Sequence, residues 1–301
     1  MNLDYCFQEF IDYLKSEKNA SKTTIVSYET DYKIFTVFLT IGGIEPRLNT
    51  MTTAILRRYI SYLKLHKDYK TNTIRRKIHS LSSFFKFLLE MEYIEKNPML
   101  SIHAPKEEKN IPIYIKEREL KMLINAPAKY ARFESHRLRD RVLLELLIFT
   151  GARKSEVLNM DWDDVDFGKK TIKIRKTKNK TQRLVPLVEP LLSDLWDYLQ
   201  TRMPLSNRAI IISDTGNRMS VSNIQTLFKR YLKKCGLDKK GYTIHKCRHS
   251  YASLLCQSGV DIISIKELLG HEDLNSTKIY THTTVNHLRK QVEKFPLSIN
   301  T

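Results

Sequence analysis

Residues 243–282 read TIHKCRHSYASLLCQSGVDIISIKELLGHEDLNSTKIYTH, and they hold four polar side chains of little use to a helical core: His245, Arg248, His271 and Tyr280. His245 and Arg248 are three apart, so a helix carries them on one face. Thr243 stands ahead of them as an N-cap. Tyr251, Leu254 and Leu255 follow at helical spacing and are expected to bury the opposite face. A second helix, roughly Ile262 to Leu269, stops at Gly270. His271 follows the stop directly, and Tyr280 comes nine residues later, flanked by Lys278 and His282. An arginine, two histidines and a tyrosine can form a phosphate-handling set: donors for phosphate oxygens, a proton acceptor and an oxygen nucleophile.

The stretch resembles the C-terminal signature of the tyrosine recombinases, the lambda-type integrase family, and most closely its Xer-like branch. HKCRHSYAS is similar to the family's H-x-x-R-H box. LLGHEDLNSTKIYTH is similar to its L-L-G-H box followed by the tyrosine nucleophile. Each piece alone is a modest signal; the order and spacing together are specific.

The rest of the chain is consistent with such a protein. Its 301 residues suffice for two domains, and a hydrophobic fraction of 42% supports packed cores. Net charge is +18, of which +4 falls in residues 1–110 and +14 in residues 111–301. That asymmetry suits a polyanionic partner, most simply nucleic acid, although a basic protein without such a partner has the same composition. Cys6, Cys235, Cys247 and Cys256 form no C-x-x-C pair, which argues against a zinc ribbon and for reduced thiols in a cytoplasmic setting. The N-terminus MNLDYCFQEF lacks the pattern of a signal peptide. The most apolar run, Val142 to Phe149, is short and contains Glu145, as in a core helix and not a membrane span.

Residues 1–102 read as an all-helical domain. Tyr5, Phe7, Phe10, Ile11 and Leu14 pattern a first amphipathic helix. Ser21 opens a second, Thr50 to Leu65 is a third, and Thr71 to Glu90 a fourth. In the fourth, Ile74, Ile78, Leu81, Phe84, Phe85 and Leu88 face inward while Arg75, Arg76 and Lys77 can face out. Basic residues on a helix face are commonly just solvated. The layout also resembles the family's core-binding domain, which implies that Arg75 and Arg76 contact DNA phosphates. Residues 103–114 read as a proline-containing linker.

Residues 115–301 are expected to form an α+β catalytic domain, so the fold class is mainly α with a small antiparallel β-sheet. Helices are expected at about Glu117–Asn125, Leu138–Phe149, Ser155–Met160, Pro190–Arg202 and Ser220–Cys235. Strands are expected at Val165–Phe167, Thr171–Arg175, Arg183–Pro186 and Ile210–Ser213. Thr150-Gly151-Ala152-Arg153-Lys154-Ser155-Glu156 is similar to the family's T-G-x-R-x-x-E box, which implies that Arg153 grips the scissile phosphate. Residues 171–183 contain six Lys or Arg and no acid. The family carries a catalytic lysine in this turn, and counting back from Arg183-Leu184-Val185-Pro186 implies Lys178. Thr177 and Asn179 stand where glycines are usual, so Lys176 and Lys180 stay open as substitutes or as DNA contacts.

A phosphodiester can be cut without metal if its nonbridging oxygens meet cations, its leaving oxygen an acid, and its nucleophile a base. Arg153, Arg248 and His271 suit the first demand, and Lys178 the second. Tyr280 suits the attack, but with a pKa of about 10 only about 0.1% of it is ionised at pH 7. His245 is the candidate base. The resemblance implies a 3′-phosphotyrosine and a free 5′-hydroxyl, on double-stranded DNA at a specific recombination site. Two duplexes with two strands cut in each need four tyrosines, hence a homotetramer. Val285 to Phe295 reads as a short amphipathic helix, and the resemblance implies that it docks on a neighbour. No cofactor or metal is expected: Asp161, Asp163, Asp164 and Asp166 lack calcium-loop spacing, and His245 and His249 lack an H-E-x-x-H setting. A catalytically inactive DNA-binding factor on the same fold is the alternative, and a relaxing topoisomerase a weaker third.

Overall fold

A computed structural model describes residues 1–106, 113–175 and 182–270. The chain divides into two compact units, Met1–Asn110 and Ile111–Thr301.

The first unit is built from α1 (Leu3–Ser16), α2 (Lys22–Ile41), α3 (Thr53–Leu65) and α4 (Thr71–Glu90). Polar side chains start these helices where the pattern asks for them: Asn2, Ser21 and Thr52 accept from Asp4 N, Thr24 N and Ile55 N. The core is aromatic. Phe7 stacks on Tyr32 with ring centroids 3.7 Å apart, and Phe84 meets Phe7 edge-on at 5.3 Å. Each such ring, once buried, contributes about 1.5–3 kcal/mol. Two details depart from the sequence pattern. Tyr5 stays outside while Cys6 enters the core. Lys77, expected outside with Arg75 and Arg76, is buried, because Asp31 on α2 draws its ammonium inward to 2.7 Å.

The second unit contains α5 (Glu117–Tyr130), α6 (His136–Phe149), α7 (Lys154–Leu158), β1 (Val165–Asp166), β2 (Thr171–Arg175), β3 (Gln182–Pro186), α8 (Glu189–Arg202), α9 (Val221–Lys234), α10 (Ile244–Gln257) and α11 (Ile262–Leu269). Helix α6 is central; every residue from Val142 to Ile148 is buried. The strands form an antiparallel sheet in the order β1-β2-β3, with Ile172 opposite Val185 and Ile174 opposite Arg183. Ile172, Ile174 and Val185 supply its buried face.

The strand expected at Ile210–Ser213 does not form; the segment makes isolated bridges, Asp161 to Ala209 and Ile212 to Arg218. Arg202 donates to the carbonyls of Asn207, Ala209 and Ile210, so acceptors that a ladder would use are taken by a side chain. Among the described residues no helix is long and apolar enough to cross a membrane.

Candidate active site

The site starts at the turn leaving α6. Thr150 Oγ1 donates to the Leu146 carbonyl and accepts from Ala152 N, which ends the helix. Gly151 then takes φ +59°, a left-handed value suited to glycine. A Cβ there would lie 2.5 Å from Tyr251 Cδ1, so both the backbone and the close approach of α10 exclude a side chain. Arg153 follows as the residue before α7. Its backbone N–H donates to Glu156 Oε2 at 2.9 Å and its Nη1 to Oε1 at 2.8 Å, while its side chain keeps 38% exposure.

Arg248 lies on α10 and is 7% exposed. Nη1 donates to the Gly151 carbonyl and Nη2 to the Leu269 carbonyl, each at 2.8 Å. One guanidinium therefore ties the turn before Arg153 to the last residue of α11. The chain's own capping fixes that end of α11: Asp261 accepts from Ile263 N and Ser264 N at the start, and Gly270 closes it at φ +63°.

Helix α10 is oriented differently from the expectation. Tyr251, Leu254 and Leu255 are only half-buried, whereas Ile244, Cys247, Arg248, Ser250 and Ala252 are buried. The carbonyl acceptors and the core claim the arginine face, and Tyr251 packs against Gly151. Thr243 does precede the helix but makes no capping hydrogen bond. Ser250 instead serves the entry of the unit, accepting from Ile115 N at 2.7 Å.

His245, on the first turn of α10, is exposed beside a groove of about 150 Å³ lined also by Lys154, Gln225, Lys229 and Tyr242. Partial burial pushes its pKa below the ordinary value, and Lys154, Arg248 and Arg153 add to the effect. That direction favours the neutral imidazole, the form that can accept a proton. His249 is shifted down likewise by burial, Lys246 and His245.

Two residues of this neighbourhood were not singled out from the sequence. Glu156 is 4% exposed, and Arg183 on β3 donates to its Oε2 at 2.9 Å. Burial pushes the Glu156 carboxyl up, but the hydrogen bond and charge of Arg183, with those of Arg153, hold it below the usual carboxylate value. Arg183 Nε also donates to the Leu268 carbonyl at 2.8 Å. The alternation of β3 hints at an inward Arg183, but nothing local reveals a partner 27 residues away.

Arg153, His245 and Arg248 thus come from separate parts of the sequence to one region of the second unit. Lys176, Lys178, Lys180, His271 and Tyr280 lie outside the described residues, as does the expected helix 285–295. In the first unit, Arg75 is half-buried and donates to the Pro105 carbonyl. Arg76 is bidentate on Asp31, at 2.6 and 2.8 Å, and also reaches Ser27. The aspartates weighed as metal ligands face bases instead: Asp161 meets Arg218, Asp163 Arg208, Asp164 Arg175 and Asp166 Lys169.

Comparison with known proteins agrees with this geometry. The model of the phage integrase family matches residues 114–287, and that of its N-terminal SAM-like domain matches residues 7–92. Tyrosine recombinase XerC of Oceanobacillus iheyensis is 34% identical over 97% of this chain and 96% of its own. The XerC of Listeria monocytogenes is 35% identical over 95% and 96%. Among solved structures, the XerA recombinase is 26% identical over 99% of this chain and all of that one, with a TM-score of 0.54. XerH site-specific recombinase in its pre-cleavage complex is 24% identical over 95% of this chain and 83% of that one, with a TM-score of 0.75, a likeness of fold. The chain belongs to the phage integrase family, with Xer tyrosine recombinases as its relatives over nearly its full length.

Proposed function

We propose that this chain is a site-specific tyrosine recombinase that cuts and rejoins DNA strands through a 3′-phosphotyrosine, acting in DNA integration, excision or resolution. Arg153 and Arg248 hold the nonbridging oxygens of the scissile phosphate, and His271 adds a donor. Lys178 protonates the departing 5′ oxygen. Tyr280 attacks, with His245 as the base that takes its proton. The attack breaks the bond from phosphorus to the 5′ oxygen and forms one to the tyrosine oxygen. The reverse attack by a second strand's 5′-hydroxyl restores the phosphodiester.

The observation that carries this reading is the double hydrogen bond of Arg248 to the carbonyls of Gly151 and Leu269. It links the arginine box to the H-x-x-R-H helix, 97 residues later in the chain, and to the helix before His271. The partner is double-stranded DNA, consistent with relatives such as XerH, whose structure is described as bound to its difH substrate. We assign residues 1–102 to a core-binding domain, with Arg75 and Arg76 as phosphate contacts. Residues 103–114 are the linker and 115–301 the catalytic domain, with Lys176 and Lys180 as further DNA contacts. The active unit is a homotetramer on two DNA sites.

The guanidinium and imidazole groups supply the charge that a metal would otherwise bring, so cleavage is expected to survive EDTA. The test uses the full chain on a duplex enriched by binding selection, nicked so that cleavage traps a covalent adduct. Adduct formation lost in EDTA and restored by magnesium would reject the mechanism. Binding without any adduct would favour an inactive DNA-binding factor.

A further inference from the structure

Arg183 is placed where few arginines are: 10% exposed, with its guanidinium shared between the two elements that frame the reaction. Nη2 reaches Glu156, the carboxylate that also holds Arg153, and Nε reaches the Leu268 carbonyl, one residue before the carbonyl held by Arg248. Its side chain crosses the closing turn of α11 so tightly that a Cβ on Gly270 would lie 3.1 Å from both Cδ and Nη1.

The charges give this contact a consequence. Glu156 is buried and held ionised. With Arg153 as its sole guanidinium partner, its full charge would lie on Arg153, and the pair would face a phosphate as a neutral unit. Arg183 offsets that charge and occupies Oε2, while Arg153 meets Oε1 through one terminal nitrogen. The cationic character of Arg153 is then available to an anion. The same guanidinium ties β3 to the end of α11, so one side chain joins the sheet to the helix before His271.

We infer that Arg183 is a positioning residue for strand transfer: it neutralises Glu156 so that Arg153 presents its charge to the scissile phosphate, and it braces β3 against the C-terminus of α11. This rests on the reading given under Proposed function.

The experiment compares the full-length wild type with Arg183→Gln, Arg183→Lys and the double variant Glu156→Gln/Arg183→Gln. The probe is the binding-selected, nicked duplex; adduct formation is followed in single turnover alongside site affinity and thermal unfolding. Arg183→Gln is expected to slow adduct formation about 100-fold, the size of a lost preorganised donor, with affinity within about twofold of wild type. Removing the uncompensated carboxylate should restore part of the rate, so the double variant should run about 10-fold faster than Arg183→Gln. Arg183→Lys, which keeps the charge but not the fork, should fall between.

Wild-type rates in Arg183→Gln would overturn the inference. So would a double variant no faster than the single one, or loss of folding in both Arg183 variants, which would make the side chain a structural strap only. A wild type that binds the duplex and forms no adduct would instead reject the strand-transfer reading itself, and this inference with it.

Discussion

Asp31 in the first unit and Glu156 in the second are each a carboxylate buried between two cations, and the two arrangements differ. In the first, Asp31 is 2% exposed and takes Lys77, itself buried, together with both terminal nitrogens of Arg76. In the second, Glu156 takes the nearly buried Arg183 and a single terminal nitrogen of the half-exposed Arg153. The Asp31 cluster engages its exposed arginine as a fork and ties α2 to α4. The Glu156 cluster commits its buried arginine and leaves the exposed one only partly engaged. The same chemical parts tie two helices together in one place and, in the role inferred for Arg183, present charge to a phosphate in the other.

That contrast can be broken from either side. Arg153→Ala should have the largest effect: adduct formation slower by about 10²–10³-fold, with a stability change of only about 1 kcal/mol because Glu156 keeps Arg183. A rate near wild type would remove Arg153 from the chemistry.

Asp31→Asn should do the reverse. It strands a buried lysine ammonium, which costs about 3–5 kcal/mol, read as a lower urea midpoint in the full chain. The adduct rate of the folded protein should stay within about twofold of wild type. An unchanged urea midpoint would mean that the Lys77 contact is not worth its burial.

A pH-dependent effect should come from Glu145, a group in the core of α6 that takes no part in either cluster. It is buried near Arg141 and Asp194, and burial followed by Asp194 pushes its carboxyl up to about 8. A native value above the unfolded one means stability fully present at acid pH, below the unfolded value, and lost as pH rises through the folded one. Between pH 5 and 8 the melting temperature of the wild type should therefore fall by about 10 °C more than that of Glu145→Gln, at about 1.4 kcal/mol for each pH unit. Parallel profiles would show that Glu145 is ionised throughout.

Local pattern carried much of the fold. Helix α4 spans Thr71–Glu90 and α11 spans Ile262–Leu269, the bounds expected from periodicity and from the stop at Gly270. Strand β2 likewise occupies Thr171–Arg175. What stayed hidden depends on partners distant in the sequence. Lys77 is indistinguishable from Arg75 and Arg76 until Asp31, 46 residues away, reaches it. The burial of Arg248 depends on two backbone carbonyls, which no residue type announces. Arg183 served to count back to Lys178, yet its own role needed Glu156 and Leu268 in place. Arg153, His245 and Arg248 were legible because their spacing matches a family signature, and the physical reason for Gly151 emerged only with Tyr251 beside it.

In the proposed reaction Tyr280 becomes covalently joined to DNA. The direct measurement is mass spectrometry of the adduct trapped on the nicked, binding-selected duplex, for the wild type and for Tyr280→Phe. That variant keeps the ring and removes only the nucleophilic oxygen. The expected result is a 3′-phosphate linked to the peptide containing Tyr280 in the wild type, and no adduct with nearly unchanged site binding in Tyr280→Phe. An adduct formed by the phenylalanine variant, or one mapped to any other residue, would contradict it.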